Sequence, residues 1–200
     1  MNKTDRTKNI KIGRENEIKA RDLILSAADK VFYSEGIRAV GVDRLCQEAG
    51  VAKATLYNNF KNKDDIVVSY LNARHEKVIS TLSETTAEPD WKKRILHLFD
   101  LLDEKASTPT FRGCAFLLAA SEYPESDEVL AAAQNHKRAI RELIASHIPS
   151  QVENRLSIAL QIAALYDGAL AFITINKDSS IIKITGSAAH VILNNCKYNA

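Results

Sequence analysis

The chain has 200 residues, of which 46% are apolar and 26% are charged, a composition that excludes a chain disordered throughout. No segment approaches about 18 uncharged apolar residues, and the first residues are not followed by the apolar core of a signal peptide. We therefore expect a cytoplasmic protein without a membrane partner. The 3 cysteines are odd in number and far apart, which argues against a disulfide framework and a paired-cysteine zinc motif.

Positive charge is concentrated in the first part of the chain. Residues 1–80 contain 15 Lys and Arg against 11 Asp and Glu, whereas residues 81–200 contain 12 against 14. At the start of the sequence five cations accompany a single acid, and few apolar groups are present to anchor the segment. We expect residues 1–16 to form a flexible basic arm.

Two short helices joined by a glycine turn are predicted after a longer scaffold helix. Helical periodicity begins near Asn16 and stops at Gly36. A short helix then ends at Ala49, where Gly50 tolerates left-handed backbone angles because it has no Cβ atom. The residues spaced to pack these helices together are Leu45, Ala49, Val51, Leu56 and Phe60.

The outward face of the second short helix is polar and basic. Its residues are Lys53, Ala54, Thr55, Tyr57, Asn58 and Asn59. They offer hydrogen-bonding groups and a cation but no carboxylate, and such a face can enter the major groove of DNA. The segment is therefore predicted to be a helix-turn-helix.

Several separated motifs over residues 20–70 resemble the TetR family of bacterial transcriptional regulators. In order, they are an aromatic residue before Ser34-Glu35-Gly36, the turn Ala49-Gly50-Val51, the series Leu56-Tyr57-x-x-Phe60, and Lys63 three residues beyond. The chain departs from the usual pattern at Ala52, where the family often has Ser, at Asn59, where it often has His, and at Gly41-Val42, where a Thr commonly starts the helix.

This resemblance implies roles for individual residues. It implies contacts to base edges by Lys53, Ala54, Thr55 and Asn58, and contacts to phosphates by Tyr57, Asn59 and Lys63. Alternatively, Tyr57 only packs, and Lys61 and Lys63 are solvated surface lysines. The basic arm either supports binding at DNA phosphates or the minor groove, or it is a solvated tail without a role.

The remaining sequence is also predicted to be helical. Periodicity indicates helices over residues 62–82, from Trp91 to about residue 106, and over 126–147, 151–175 and 180–196. Residues 112–124 resemble a segment of one branch of the family, and no run alternates as a strand would. We expect an all-α protein with a helix-turn-helix DNA-binding domain over residues 17–66 and a helical effector-binding and dimerisation domain over residues 67–200.

A two-fold dimer is expected because one recognition helix contacts too few bases to select a single genomic site. The last two helices carry apolar stripes that would pair with their symmetry mates as a four-helix bundle. The residues assigned to this interface are Leu156, Leu160, Ala163, Gly168, Ala189 and Leu193. The alternative is an ordinary intramolecular core, because an apolar stripe alone does not distinguish the two.

A small-molecule effector pocket between the helices of residues 91–175 is implied by the resemblance. Its candidate lining combines aromatic walls with a few polar groups, namely Phe99, Asp103, Phe116, Tyr123, Tyr166 and Asp167. Each of these residues could equally belong to plain core or surface. Asp167 lies in an otherwise apolar helix and needs a partner, which is either a ligand or a protein cation. Cys114 is either a redox sensor or an inert small apolar residue.

An enzyme is the contrasting class of function, and the sequence offers no catalytic constellation. The 5 histidines lie singly, without a Glu-x-x-His pair or the spacing of a zinc protease, and no glycine-rich phosphate loop occurs. No cofactor or metal is expected. The sequence favours a DNA-binding transcriptional regulator, a repressor released by its effector. The alternative is a helical sensor or interaction protein that has lost DNA binding.

Overall fold

The computed structural model describes residues 3–84 and 88–198, with side chains from Ile18 onward. Within these ranges the chain forms helices and no strand, which confirms the all-α prediction. The helices are α1 Lys3–Glu35, α2 Val42–Ala49, α3 Lys53–Asn59, α4 Lys63–Ser83, α5 Trp91–Ala106, α6 Ala115–Glu122, α7 Asp127–His147, α8 Arg155–Asn176 and α9 Ile181–Asn194. An isolated antiparallel bridge joins Val152 to Tyr198.

The first helix is longer than the sequence predicted. Its backbone is helical from Lys3, whereas the periodic apolar pattern begins near Asn16. The difference arises because an apolar stripe reports where a helix packs, and a helix without proline can extend beyond its packed part. The side chains of the predicted basic arm lie outside the described residues, so its role in binding stays a prediction.

The first three helices pack into one unit around a shared apolar core. Val31 of α1, Leu45 of α2 and Leu56 of α3 have no exposed surface. The turn between α2 and α3 is the predicted one: Gly50 has φ 65° and ψ 33°, and the Val51 amide donates to the Cys46 carbonyl at 3.1 Å. This turn sets the angle at which α3 leaves the core.

The helices from α4 onward form a second unit, and α1 packs on both. α7 contacts α4 and α8, and α9 contacts α5 and α8. α8 is long and apolar enough, by length and composition alone, to cross a membrane, yet only 39% of its most apolar stretch is buried. α8 packs between α7 and α9. The apolar side chains that face these helices belong to the core of the bundle, and the apolar side chains on its other side are exposed.

Gly50→Ala is expected to lower the free energy of unfolding by about 1 kcal/mol, because an L side chain is strained at this positive φ. Urea denaturation would measure the loss. The matched control is Gly41→Ala, at a residue with φ −82° and equally open surroundings, which should change stability by less than about 0.5 kcal/mol. Equal effects of the two changes would contradict the assigned role of the turn.

Candidate functional site

The α3 helix presents a polar face to solvent while its opposite side anchors it. Leu56 is completely buried, and Phe60, which follows the helix, is 2% exposed. Four of the predicted DNA contacts lie on the exposed side, namely Lys53, Ala54, Tyr57 and Asn58. Thr55 is half-buried. Leu56 and Phe60 therefore anchor α3 in the core, and the opposite face of the helix is exposed to solvent.

An acidic residue lies beside this face and was not predicted from the sequence. The Asp43 carboxylate on α2 is 2.8 Å from the Lys53 ammonium. The hydrogen bond to Asp43 raises the pKa of Lys53, so this lysine stays fully charged. Asp43 precedes Lys53 by ten residues and lies on another helix, so no local spacing signals the pair.

Two of the predicted phosphate contacts are partly engaged within the protein. The Asn59 amide donates to the Thr55 carbonyl at 2.8 Å, and the Asn59 carbonyl accepts from Arg21 at 3.2 Å. The Arg21 guanidinium also lies 4.4 Å from the centre of the Phe60 ring, which fixes the end of α3. Lys63 is half-buried, and this burial lowers its pKa. The phosphate roles of Asn59 and Lys63 stay predictions.

The end of α1 is tied to the segment between α5 and α6. The Tyr33 hydroxyl donates to the Gly113 carbonyl at 2.9 Å and accepts from the Arg112 amide at 2.7 Å. Arg112 also donates from its guanidinium to the carbonyls of Tyr33 and Ser34. Gly113 has φ 91°, and a Cβ there would lie 1.9 Å from the Thr174 hydroxyl oxygen, so the close approach requires glycine.

A second tie joins the loop after α1 to the end of α6. The Arg38 amide donates to the Glu122 carboxylate at 2.7 Å, and the Arg38 guanidinium bonds the Glu122 carbonyl and the Glu125 carboxylate. The same guanidinium lies 4.9 Å from the centre of the Tyr123 ring. Tyr123 was predicted to line a ligand pocket, and the structure places it at this junction instead because its ring packs against Arg38.

Two adjacent cavities lie beside α4. The outer cleft, of about 770 Å³, lies between α1, α4 and α5, and its lining includes Asp29, Tyr33, Arg74, Lys77, Lys105 and Phe111. The inner chamber, of about 80 Å³, is lined among others by Leu102, Cys114, Phe116, Lys137, Ile140, Tyr166 and Leu170. The residues that line both are Arg74, Val78, Lys105 and Phe111. Together they have the size of a small-molecule site.

Of the six predicted ligand residues, the structure brings two to the inner chamber, Phe116 and Tyr166. Phe99 and Asp103 instead line a separate shallow cleft against α9, because their side of α5 faces that helix. Phe99 also packs edge-on against Tyr166, with ring centres 5.7 Å apart. The Asp167 carboxylate accepts from the Lys137 ammonium at 2.5 Å, so the partner that it needed is a protein cation.

A pair of histidines, of which His136 is buried and His75 is half-buried, adjoins the inner chamber and was not predicted from the sequence. The Nδ1 atoms of His75 and His136 are 3.1 Å apart, and the His136 ring stacks on Phe116 with ring centres 3.6 Å apart. Burial, helped by the nearby Lys137 charge, lowers the pKa of His136 to about 3. Within residues 3–84 and 88–198, no group of three or more His, Cys, Asp or Glu side chains could hold a metal ion.

The predicted dimer residues divide into surface and core. Leu156 and Leu160 are 69% and 53% exposed, and a Cβ at Gly168 would meet open space. Three other assignments were wrong, because the chain's own core covers these side chains: Ala163, Ala189 and Leu193 are at most 4% exposed. Further exposed apolar residues on α8 and α9 are Phe172, Ile175, Ile184 and Val191.

Comparisons with known proteins agree on one family. The family model described as bacterial regulatory proteins, tetR family, matches residues 24–70. The HTH-type transcriptional regulator YvkB of Bacillus subtilis is 34% identical over 82 residues, 41% of this chain and 42% of that protein. TtgR of Pseudomonas putida is 29% identical over 101 residues, 48% of each chain. The chain thus matches less than half of the length of these relatives.

A solved structure extends the likeness to most of the chain. SCO4454, a TetR-family transcriptional regulator from Streptomyces coelicolor, is similar with a TM-score of 0.82 and 27% identity. The similarity covers 88% of this chain and 89% of that one. A similarity of this extent is not confined to the helix-turn-helix.

Stability is expected to fall by about 1–2 kcal/mol between pH 7 and pH 5 through His136. Its pKa of about 3 in the folded state lies below the unfolded value of about 6.5, so between these values the unfolded state binds more protons. Urea denaturation across this range would show the slope. His136→Gln should reduce it, whereas His97→Gln, at an exposed histidine, should not. An unchanged slope in His136→Gln would refute this account.

Proposed function

The chain belongs to the TetR family of bacterial transcriptional regulators, and we propose that it acts as a repressor, binding a palindromic operator as a homodimer until a small-molecule effector releases it. The family consists of transcriptional regulators and not of enzymes. The observation that carries the proposal is the exposed, carboxylate-free face of α3, held in place by buried Leu56 and Phe60. A protein that acts on the chromosome in this way works in the cytoplasm.

The α3 face and the start of α4 offer groups for both kinds of contact that sequence-specific binding needs. In our proposal Lys53, Ala54, Thr55 and Asn58 meet base edges, and Tyr57, Asn59 and Lys63 meet phosphates. Ala54 presents a methyl group that suits the methyl of thymine. Lys53 exchanges Asp43 for an acceptor on DNA, and both partners are exposed enough to separate.

The dimer is proposed to form through α8 and α9. Six apolar side chains that the chain leaves exposed on these two adjacent helices support it, namely Leu156, Leu160, Phe172, Ile175, Ile184 and Val191. A soluble protein rarely leaves such a patch uncovered. Pairing with the symmetry mate would bury the patch in a four-helix bundle and place two α3 helices at half-sites about 34–36 Å apart.

We propose that a ligand in the inner chamber acts on DNA binding by moving α1. Phe116 lines the chamber, and Gly113 in the same segment accepts a hydrogen bond from Tyr33 of α1. α6 begins beside the chamber, and Glu122 at its end binds Arg38 in the loop that leads to α2. A ligand that displaces this segment therefore moves the base of the helix-turn-helix unit and changes the spacing of the two α3 helices.

A DNA-blind helical sensor is the second candidate function. It is favoured by the pairing of Lys53 with Asp43 and by the inward hydrogen bond of the Asn59 amide. Selection of bound sequences from a random duplex library by the purified protein separates the two. An enriched palindrome bound with a steep salt dependence supports the regulator. A library without enrichment supports the sensor.

Replacing Lys53 or Asn58 by Ala should weaken binding to the selected duplex by about 1–3 kcal/mol and relax the preference at one base position. Lys63→Ala should instead weaken binding to all sequences alike and reduce the salt dependence. Fluorescence anisotropy across a salt series would measure both effects. Lys93→Ala is the control, because Lys93 is exposed on α5, which packs against α7 and α9. Unchanged affinity in all three variants would refute the assignment.

Leu160→Arg should raise the dissociation constant of the dimer at least about a hundredfold, since each protomer would lose about 1.5–3 kcal/mol of leucine burial. Sedimentation equilibrium at micromolar concentration would measure the change. Ile18→Arg is the matched control, because Ile18 is 62% exposed on α1, away from α8 and α9. A wild-type monomer, or a Leu160→Arg variant that dimerises normally, would contradict the proposed interface.

A further inference from the structure

Cations gather where the outer cleft meets the inner chamber. Arg74 of α4 and Lys105 of α5 line both cavities, and Lys77 lines the outer cleft one helical turn beyond Arg74. The Arg74 side chain is only 14% exposed, and its guanidinium lies 2.5 Å from the Asp29 carboxylate and 4.2 Å from the centre of the Tyr33 ring. An aromatic face and one acid thus hold a largely buried arginine at the boundary.

Cations outnumber acids in the lining of the outer cleft, where Lys30, Arg74, Lys77 and Lys105 face Asp29 and Glu104. Among the residues that the structure describes, neither Lys77 nor Lys105 makes an ion pair, and Asp29 pairs with Arg74. The charge of Asp29 also acts on Lys105. Burial, together with the charges of Arg74 and Lys77, lowers the pKa of Lys105. Arg74 is largely buried, whereas Lys77 and Lys105 are exposed. An anion bound between them would add a charge-assisted hydrogen bond to each cation, and the bond to Arg74 would be the least screened by water.

The inner chamber behind the cations is apolar. Its apolar lining includes Leu102, Phe111, Phe116, Ile140 and Leu170. Its Lys137 ammonium is already paired with Asp167, so it adds little unsatisfied charge. At about 80 Å³ the chamber admits a hydrocarbon or aromatic end group but not a whole ligand, whose remainder must lie in the outer cleft.

We propose that the effector is an amphipathic organic anion, with a carboxylate bound by Arg74 and Lys105 and an apolar end group inside the inner chamber. The inference rests on the proposed function, because it names the chemical class that the effector cavity accepts. A neutral ligand would leave the cations uncompensated, and a cationic ligand would be repelled by them.

The proposed anion competes with Asp29 for Arg74. Asp29 and Tyr33 both belong to α1, so their contacts with Arg74 fasten α1 to α4. A ligand carboxylate that takes Arg74 from Asp29 loosens this fastening, while the apolar end group presses on Phe116 and the segment that contains Gly113. Both effects act on the end of α1, which bears the helix-turn-helix unit.

The test is isothermal titration of the full-length protein with octanoate, octanamide and octylamine, which share one alkyl chain and differ in charge. We expect octanoate to bind at least about tenfold more tightly than octanamide, and octylamine to bind most weakly. Lys105→Met and Arg74→Met should remove the preference for octanoate over the amide. Asp29→Asn should strengthen octanoate binding about threefold or more, because it removes the competing carboxylate. Lys93→Met is the control on the same helix as Lys105 and should bind as wild type does.

Circular dichroism shows whether each variant folds. If Arg74→Met does not fold, Lys105→Met still tests the proposal. Equal binding of octanoate and octanamide, tighter binding of octylamine, absence of octanoate binding, or an unchanged preference in Lys105→Met would each overturn the inference. Competition by inorganic phosphate at the concentration of octanoate would also overturn it, because the cavity would then select a bare anion. Titration without DNA makes these outcomes independent of operator binding, so a failed operator selection leaves the ligand result standing.

Discussion

The position of α1 is the constraint on which the rest of the structure depends, because this helix packs against α2 and α3 of its own unit and against α4 of the other. Its carboxyl-terminal half is fastened at three places: Asp29 to Arg74, Tyr33 to the segment of Arg112 and Gly113, and the following loop to Glu122. The bonds of Asp29 and Tyr33 are partly buried, so breaking one without replacing it is costly, whereas the bond between Arg38 and Glu122 is exposed. The orientation of α3 therefore depends on contacts that lie outside the α3 face itself.

The same contacts border the cavities. Arg74 and Gly113 line the inner chamber and also hold α1, so a ligand and α1 share partners. In the proposed mechanism the ligand favours one position of α1 and operator DNA favours another, so DNA must affect ligand binding by the same factor as the ligand affects DNA binding. If two protomers pair through the exposed apolar surface of α8 and α9, a movement of α1 within each protomer changes the distance between the two α3 helices.

The sequence predicts the parts of this arrangement that have a local signature. The Gly50 turn, the helix-turn-helix core and the bounds of α4, α5 and α7 follow from glycine chemistry, capping and periodicity. The pairs Asp29–Arg74 and His75–His136 join residues 45 and 61 positions apart, and no spacing rule connects them. Ala163, Ala189 and Leu193 were assigned to an interface because an apolar stripe does not reveal which side of a bundle helix the chain itself covers.

The central claim is that two α3 faces of one dimer read two halves of a single site. Hydroxyl-radical footprinting on a duplex selected by the protein tests this claim most directly. The account predicts two symmetric protected patches on one face of the duplex, centred about 34–36 Å apart. A single asymmetric patch, or uniform weak protection along the duplex, would contradict it.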